Sequence, residues 1–143
     1  MFGSMKSGAS AYAQVGIETG VLAASPHKLT VMLFDGALAS ITTAVREMTA
    51  KNIAAKGKAV TKAVAIVDEG LRAALNKEQG GELAIQLDLL YEYIVRRMLE
   101  ASGANQVEGL QEAHKLLADL RDAWLQIDPQ KAASTGVAAP STT

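Results

Sequence analysis

Apolar residues recur every three or four positions through the middle of the chain, which is the spacing of amphipathic helices. This pattern predicts four helices, over about residues 25–50, 56–75, 82–102 and 105–127. No segment shows the two-residue alternation that is typical of a half-buried strand. Because short connections join successive helices, neighbouring helices are expected to run in opposite directions. The sequence therefore predicts an all-α protein built as an antiparallel four-helix bundle.

The ends of the first and third predicted helices carry residues that favour starting or stopping a helix. Ser25 is a good N-cap for the first helix, and Pro26 fits its first position, where no amide hydrogen bond is lost. Residues 76–81 are expected to form a loop before the third helix, because Gly80 and Gly81 break helices there.

The connection to the fourth helix contains a second set of end signals. Gly103 stands where a C-terminal cap belongs. Asn105, with Glu108 three residues later, resembles a capping box that opens the fourth helix. Asp128 and Pro129 are expected to stop that helix, because proline cannot continue it.

The regions outside the four helices differ from them in composition. Residues 1–24 are rich in Gly, Ser and Ala, and Tyr12 lies among a few scattered aliphatic residues. Residues 129–143 contain mainly Ala, Ser, Thr, Gly and Pro. Segments of this kind bury too little apolar surface to fold alone. We therefore expect a flexible N-terminal arm at 1–24, a bundle domain at 25–128 and a disordered tail at 129–143. The alternative for the arm is that its apolar residues dock on the bundle.

The predicted helices carry unequal amounts of apolar surface. The fourth helix has one apolar face, whereas the other three have more than a single inward face requires. On the third helix, Ile85, Leu89 and Tyr93 form a second stripe that points well away from the core stripe. Large exposed apolar patches usually mark interaction sites. The surplus predicts a groove for a partner's helix, or else a wider core face closed by the arm or by a homodimer.

The candidate partner-binding residues come from the arm and from the surplus apolar surface of the first three helices. On the second helix they are mostly small, so that another backbone could approach closely. Arg96 lies near the stripe on the third helix and could anchor a polar group of the partner. The predicted residues are Tyr12, Val31, Phe34, Leu38, Ala59, Ala63, Ile66, Gly70, Ile85, Leu89, Tyr93 and Arg96.

The composition argues against a nucleic-acid partner and against insertion in a membrane. The 143 residues are 49% hydrophobic and 20% charged, with a net charge of -1 and no cysteine. A nucleic-acid partner is not expected, because proteins that bind nucleic acids concentrate Lys and Arg. Disulfides and thiolate chemistry are excluded. The longest strongly apolar stretches are much shorter than the ~20 residues of a membrane-spanning helix. We expect a cytoplasmic protein without stable membrane insertion.

Signals for catalysis are weak. A di-iron bundle would need Glu-x-x-His pairs on facing helices, but Gln111 precedes His114 by three residues and no second pair exists. We predict no enzyme activity, no cofactor and no metal site. Two rival hypotheses remain open. One is a regulatory helical adaptor or phosphotransfer bundle that uses His27 or His114, and the other is a metal-dependent helical enzyme.

Three charged residues within the helices are expected to form salt bridges or to face solvent. Asp35 lies at the edge of the broad apolar arc of the first helix, so it is expected to pair with an Arg or Lys. The sequence does not identify that partner. Arg96 and Arg97 are expected to be solvated or salt-bridged.

Several motifs together resemble one known family, the flagellin secretion chaperones of the FliS family. Residues 24–29 (ASPHKL) and 32–37 (MLFDGA) resemble its hallmark segment, although the family usually has Tyr where this chain has Phe34. Residues 80–84 and 90–98 are similar to its third-helix signature, and residues 120–124 (LRDAW) to its closing motif. Tyr12 matches the position of an N-terminal Tyr.

The resemblance implies both a function and partners. Such chaperones are antiparallel helical bundles that bind the C-terminal disordered region of flagellin in the cytosol. They prevent premature polymerisation and present flagellin to the export gate of the flagellar type III apparatus. In some members the N-terminal arm covers part of the apolar surface until flagellin arrives. We expect a monomer or a weak homodimer, with the flagellin contacts on the surplus apolar surface.

Overall fold

The computed structural model describes residues 25–127, which form four helices and no strand. They are α1 (Pro26–Thr49), α2 (Ile53–Ala65), α3 (Lys77–Ala104) and α4 (Val107–Gln126), and α2 continues as a π-helical segment, Ile66–Arg72. The prediction of an all-α, four-helix bundle is confirmed. The predicted arm at 1–24, the stop at residues 128–129 and the tail at 129–143 lie outside the described residues.

The four helices alternate in direction around a closed ring. α1 packs against α2 and α4, and α3 packs against α4 and the π-helical segment. His27 at the start of α1 contacts Trp124 near the end of α4, so those two helix ends lie together. Lys56 at the start of α2 reaches Ser102 near the end of α3. α1 and α3 are therefore diagonal to each other, as in an up-down-up-down bundle.

The core takes large side chains from every helix. Within a helix they are adjacent or lie four, seven or eight residues apart, so they fall on one broad face. Alanines between them let the helices approach closely; Ala37, Ala44 and Ala113 are fully buried. The largest fully buried side chains are Leu33, Phe34, Ile41, Ile66, Val67, Ile94, Met98, Leu110 and Leu117.

The predicted start of α1 is confirmed in detail. Ser25 has extended backbone angles, and its hydroxyl accepts a hydrogen bond from the Lys28 amide at 3.1 Å. Pro26 occupies the first helical turn. This cap satisfies one of the amides that a helix start leaves without a partner.

The predicted loop at residues 76–81 is wrong for residues 77–80, which form a helical turn, but the predicted break at the glycine pair is confirmed at Gly81. Asn76 caps the new helix by accepting a hydrogen bond from the Gln79 amide at 3.0 Å, so α3 begins at Lys77. Gly81 interrupts α3 with a φ of 56°, a conformation that glycine adopts without steric cost. The glycine pair therefore kinks the helix after its first turn, because the asparagine cap has already started it.

The predicted caps between α3 and α4 are also wrong. Asn105 ends α3 in the left-handed conformation (φ 53°), where Gly103 was expected, and Gln106 precedes α4 without a side-chain cap. The Asn105 Oδ1 atom accepts a hydrogen bond from Lys56 Nζ at 2.8 Å, so it is not capping α4. Asn adopts the left-handed region more readily than most residues other than Gly.

The second predicted helix differs from residues 56–75 in its ends and in its winding. α2 starts at Ile53, and regular α-helix ends at Ala65 before the π-helical segment. The wider turn buries Ile66, Val67, Gly70 and Leu71 on one face. Apolar spacing did not reveal the π segment, since residues four apart share a face in both kinds of helix.

The length and composition of α1 would also suit a membrane span. A core helix of a globular bundle meets the same criteria, and the apolar side chains of α1 supply much of this core. Leu33, Phe34 and Ile41 are each at most 2% exposed. We therefore assign the apolarity of α1 to the bundle interior, and the absence of stable membrane insertion stays a prediction.

Two glycines provide a matched test of the packing between α3 and α4. A Cβ at Gly109 would lie 2.5 Å from the Ala101 Cβ, whereas a Cβ at Gly57 would meet no atom within 4 Å. Gly109→Ala should lower the free energy of unfolding by about 1–3 kcal/mol through overpacking. Gly57→Ala should raise it by about 0.5–1 kcal/mol through a less flexible unfolded chain. Urea unfolding of both variants checks this, and a stabilised Gly109→Ala variant would contradict the close crossing.

Candidate partner-binding surface

Large apolar side chains stand exposed along the outside of α3. Ile85 is 50% exposed, Leu89 59% and Leu99 53%. Arg96 lies between Leu89 and Leu99 and is also exposed. We call Ile85, Leu89, Arg96 and Leu99 the outer stripe. Aliphatic side chains exposed in a row differ from the single exposed leucines that any protein surface contains.

Helix geometry explains why the outer stripe points away from the core. At 100° per residue, its four members fall within about 80° of one another around α3, and the exposed Glu92 lies within the same arc. Ile94 and Met98, on the opposite side, are fully buried. The stripe therefore covers the outer face of the helix that is diagonal to α1.

A cluster of charged residues borders the stripe on the side of α2. Arg72, at the end of the π-helical segment, donates hydrogen bonds to Asp88 at 2.5 Å, to Glu92 at 3.0 Å and to Asp68 at 3.2 Å. Lys77 lies 3.0 Å from the other Asp88 oxygen. Hydrogen bonds from Arg72 and then Lys77 lower the pKa of Asp88, and the Asp88 carboxylate raises the pKa of Arg72. This cluster fixes α3 against α2 while it stays ionised.

A second polar cluster borders the stripe on the side of α4. Glu112 accepts hydrogen bonds from the Tyr93 hydroxyl at 2.5 Å and from Arg97 Nε at 2.7 Å. These two donors lower the pKa of Glu112, and the Glu112 carboxylate raises the pKa of Tyr93 because the phenol donates to it. Arg97 therefore forms a salt bridge, which is one of the two environments expected for it from the sequence. The two clusters anchor α3 on both sides and leave the stripe between them uncovered by other described residues.

Arg96 forms no ion pair with any residue in the range 25–127. Its guanidinium lies over the Tyr93 ring, 5.6 Å from the ring centroid. A cation above an aromatic face is attracted to it, so this contact holds the Arg96 side chain beside the apolar row. The charge remains available to a carboxylate or a carbonyl group of a partner.

The structure describes eleven of the twelve predicted site residues. They lie on or beside the outer stripe, on α1, or in the interior of the bundle. Ile85, Leu89 and Arg96 lie together on the outer stripe, with Tyr93 partly buried at its edge. Val31 and Leu38 on α1 are partly buried, and Leu38 packs against the core. Tyr12 lies outside the described residues.

The remaining predicted site residues are buried in the bundle, and Ala59 among them also lines the floor of a shallow groove between α1 and α2. Phe34 is 2% exposed, and the residues of the second helix are buried against neighbouring helices. The small side chains there do admit a close neighbour, but that neighbour belongs to the same chain. We therefore leave these five out of the proposed surface: Phe34, Ala59, Ala63, Ile66 and Gly70.

Two exposed residues of α3 escaped the sequence interpretation. Leu99 extends the outer stripe by one turn, and its spacing from Ile85 and Leu89 could have indicated this. The intervening charged residues interrupt the apolar pattern. Leu83 has the helical position of the buried Ile94 and Met98, eleven and fifteen residues later, but is 65% exposed. It lies just after the Gly81 kink at the end of the bundle, and it points about 160° away from Ile85.

Two polar contacts join α1 to α4. His27 stacks on Trp124 with ring centroids 5.0 Å apart, and its Nε2 donates to the Trp124 carbonyl at 2.8 Å. Arg121 Nε donates to Asp35 at 2.5 Å, which identifies the expected partner of that carboxylate. Between residues 25 and 127, no three His, Asp or Glu side chains could jointly hold a metal ion.

Comparisons with known proteins agree on one family. The family model described as "Flagellar protein FliS" matches residues 8–131. The "Flagellar secretion chaperone FliS" of Salmonella typhimurium is 44% identical over 124 residues, covering 87% of this chain and 92% of the relative. The Escherichia coli K12 protein of the same name is 41% identical, covering 82% and 86%, and the Bacillus subtilis one 32% identical, covering 82% and 83%. The chain therefore belongs to the FliS family of flagellar secretion chaperones.

Proposed function

We propose that this chain binds the C-terminal disordered region of flagellin in the cytoplasm, prevents its premature polymerisation and delivers it to the export gate of the flagellar type III apparatus. Its relatives are named as flagellar secretion chaperones, and their family is one of chaperones, not of enzymes. The observation that carries the proposal is the outer stripe of α3.

The outer stripe suits a ligand that folds as it binds. An extended or nascent helical segment can place apolar residues against Ile85, Leu89 and Leu99, and a polar group against Arg96. The stripe runs along the part of α3 that follows the Gly81 kink, and two polar clusters hold that part in place. The chaperone surface is therefore formed before flagellin arrives, and most of the ordering cost falls on flagellin.

The free energy that the stripe can contribute is too small to hold flagellin by itself. Covering the exposed half of three aliphatic side chains yields about 1 kcal/mol each. A micromolar complex requires about 8 kcal/mol, and each flagellin residue that becomes ordered costs about 1–2 kcal/mol. Flagellin must therefore contact more of the bundle than the stripe, which is consistent with a long segment that wraps around it. The stripe then determines where the segment docks.

The proposal is tested by titrating the purified chain with full-length flagellin monomer and with flagellin that lacks its C-terminal region. Calorimetry should show saturable binding to the full-length protein and at least a 100-fold loss on truncation. The matched control is flagellin shortened by a similar length elsewhere, which should bind like the intact protein. Equal binding to intact and C-terminally truncated flagellin would contradict the proposal.

A further inference from the structure

A shallow groove runs between α1 and α2, on a different side of the bundle from the outer stripe. Its volume is about 440 Å³. Six small residues line most of it: Gly36, Ala39, Ser40, Thr43, Ala55 and Ala59.

The sequence of α1 produces this trough directly. Gly36, Ala39, Ser40 and Thr43 follow one another at three- and four-residue spacing, so they share one face of the helix. The eight residues from Gly36 to Thr43 span about 10 Å, or roughly two helical turns. The trough therefore has the length and direction to receive two turns of another helix.

Ser40 supplies a polar group at the bottom of the groove. Ser40 is only 6% exposed, yet its hydroxyl forms no hydrogen bond with any described residue. The hydroxyls of Thr30, Thr42 and Thr49, in contrast, each bond to the carbonyl one turn earlier. The Ser40 oxygen is not among fully enclosed atoms without a partner, since residues 25–127 contain none. Ser40 thus lines the groove with a hydroxyl that has no hydrogen-bond partner among residues 25–127.

The rim of the groove is positively charged. Arg46, Lys58 and Lys62 line it together with a single carboxylate, that of Glu47. None of the three cations forms a salt bridge within residues 25–127. Elsewhere in the bundle Arg72, Arg97 and Arg121 each bind carboxylates of this chain. The rim cations are thus available to carboxylates of another molecule.

We propose that this groove is a second docking surface, which binds an amphipathic helix of a partner protein. The contact face of that helix would carry small residues with a Ser or backbone carbonyl for Ser40, and its flanks would carry Asp or Glu for Lys58, Lys62 and Arg46. Small floor residues allow the helix backbone to come close, and opposite charges fix its orientation. Because α1 is diagonal to α3, the groove and the outer stripe can be occupied together. The proposal does not depend on flagellin binding.

The test uses a fluorescent peptide of about 18 residues, five helical turns, with Ala and Ser on one face and Glu on both flanks. Anisotropy should show saturable binding to the full chain, which weakens with added salt. Ala39→Trp fills the groove from an exposed position and should weaken binding at least tenfold. Ala123→Trp, on an exposed position of α4, is the matched control and should bind like the wild type.

Charge reversal tests the rim separately. The double substitution Lys58→Glu and Lys62→Glu should weaken the binding of the acidic peptide at least tenfold. It should strengthen the binding of a peptide that has Lys in place of Glu. The control pair, Lys28→Glu with Lys115→Glu, changes the net charge equally and should leave both affinities within twofold. This comparison separates the rim from the charge of the whole protein.

Three results would overturn the proposal. The first is no saturable binding of the acidic peptide to the wild type, and the second is binding that Ala39→Trp leaves unchanged. The third is a different occupant. Loss of a dimer on Ala39→Trp in sedimentation would assign the groove to a second copy. If Ala39→Trp shifts the NMR amide resonances of residues 1–24, the groove would be assigned to the chain's own N-terminal segment.

Discussion

Replacing Ile85 and Leu89 together by glutamine is expected to weaken the binding of flagellin's C-terminal region about 100-fold. Each substitution removes an aliphatic contact worth about 1 kcal/mol and places an amide where it would lose water on binding. Together these costs reach the 2.7 kcal/mol that correspond to a 100-fold change. Glutamine is a good helix former and both positions are at least half exposed. The melting temperature should therefore stay within a few degrees, and calorimetric titration reads the affinity.

Leu83 offers the matched control for this experiment. It is on the same helix and is the more exposed residue, at 65%, but it points to another side. Leu83→Gln should leave the affinity for flagellin within about twofold. An equal loss from Leu83→Gln would mean that the outer stripe is not the place where flagellin docks.

The largest effect on stability is expected at Lys56. This lysine is 5% exposed, and its ammonium donates to the Ser102 carbonyl and to Asn105 Oδ1, both at 2.8 Å. It thus satisfies groups at the end of α3, where carbonyls lack helical partners and the helix dipole favours a cation. Lys56→Glu would bury a carboxylate against two oxygen atoms. We expect it to lower the free energy of unfolding by about 4 kcal/mol or more.

Two further variants separate charge from packing at this position. Lys56→Met keeps most of the aliphatic volume and should cost about 1–3 kcal/mol, because the oxygens of Ser102 and Asn105 lose their donor. Lys58→Met changes an exposed lysine one half-turn away and should remain within about 0.5 kcal/mol of the wild type. Urea unfolding of the three variants measures these differences. A Lys56→Glu variant as stable as Lys58→Met would contradict the buried position of the ammonium.

Periodicity was enough to predict the number and order of the helices and the outward direction of Ile85 and Leu89. These features depend on one helix at a time, since the angle between two side chains follows from their separation in sequence. The N-cap at Ser25 was predictable for the same reason, because Ser25 and Lys28 are three residues apart.

Features that depend on two helices could not be predicted in this way. Ala63 and Gly70 are small enough for a partner or for a neighbouring helix of the same chain, and only the fold shows that the neighbour is internal. Lys56 resembles a solvated lysine until Asn105 and Ser102 are brought to it from more than 45 residues away. The groove between α1 and α2 likewise arises from missing side-chain volume on both helices.

Photo-crosslinking tests the central claim, that flagellin's C-terminal region docks on the outer stripe, most directly. A photoreactive side chain placed at position 89, and in a separate variant at position 83, would be irradiated in the complex with full-length flagellin. Mass spectrometry then identifies the attached flagellin peptide. We predict abundant crosslinks from position 89 to the C-terminal region and few from position 83. Crosslinks from position 83 alone, or from position 89 only to other parts of flagellin, would contradict the account.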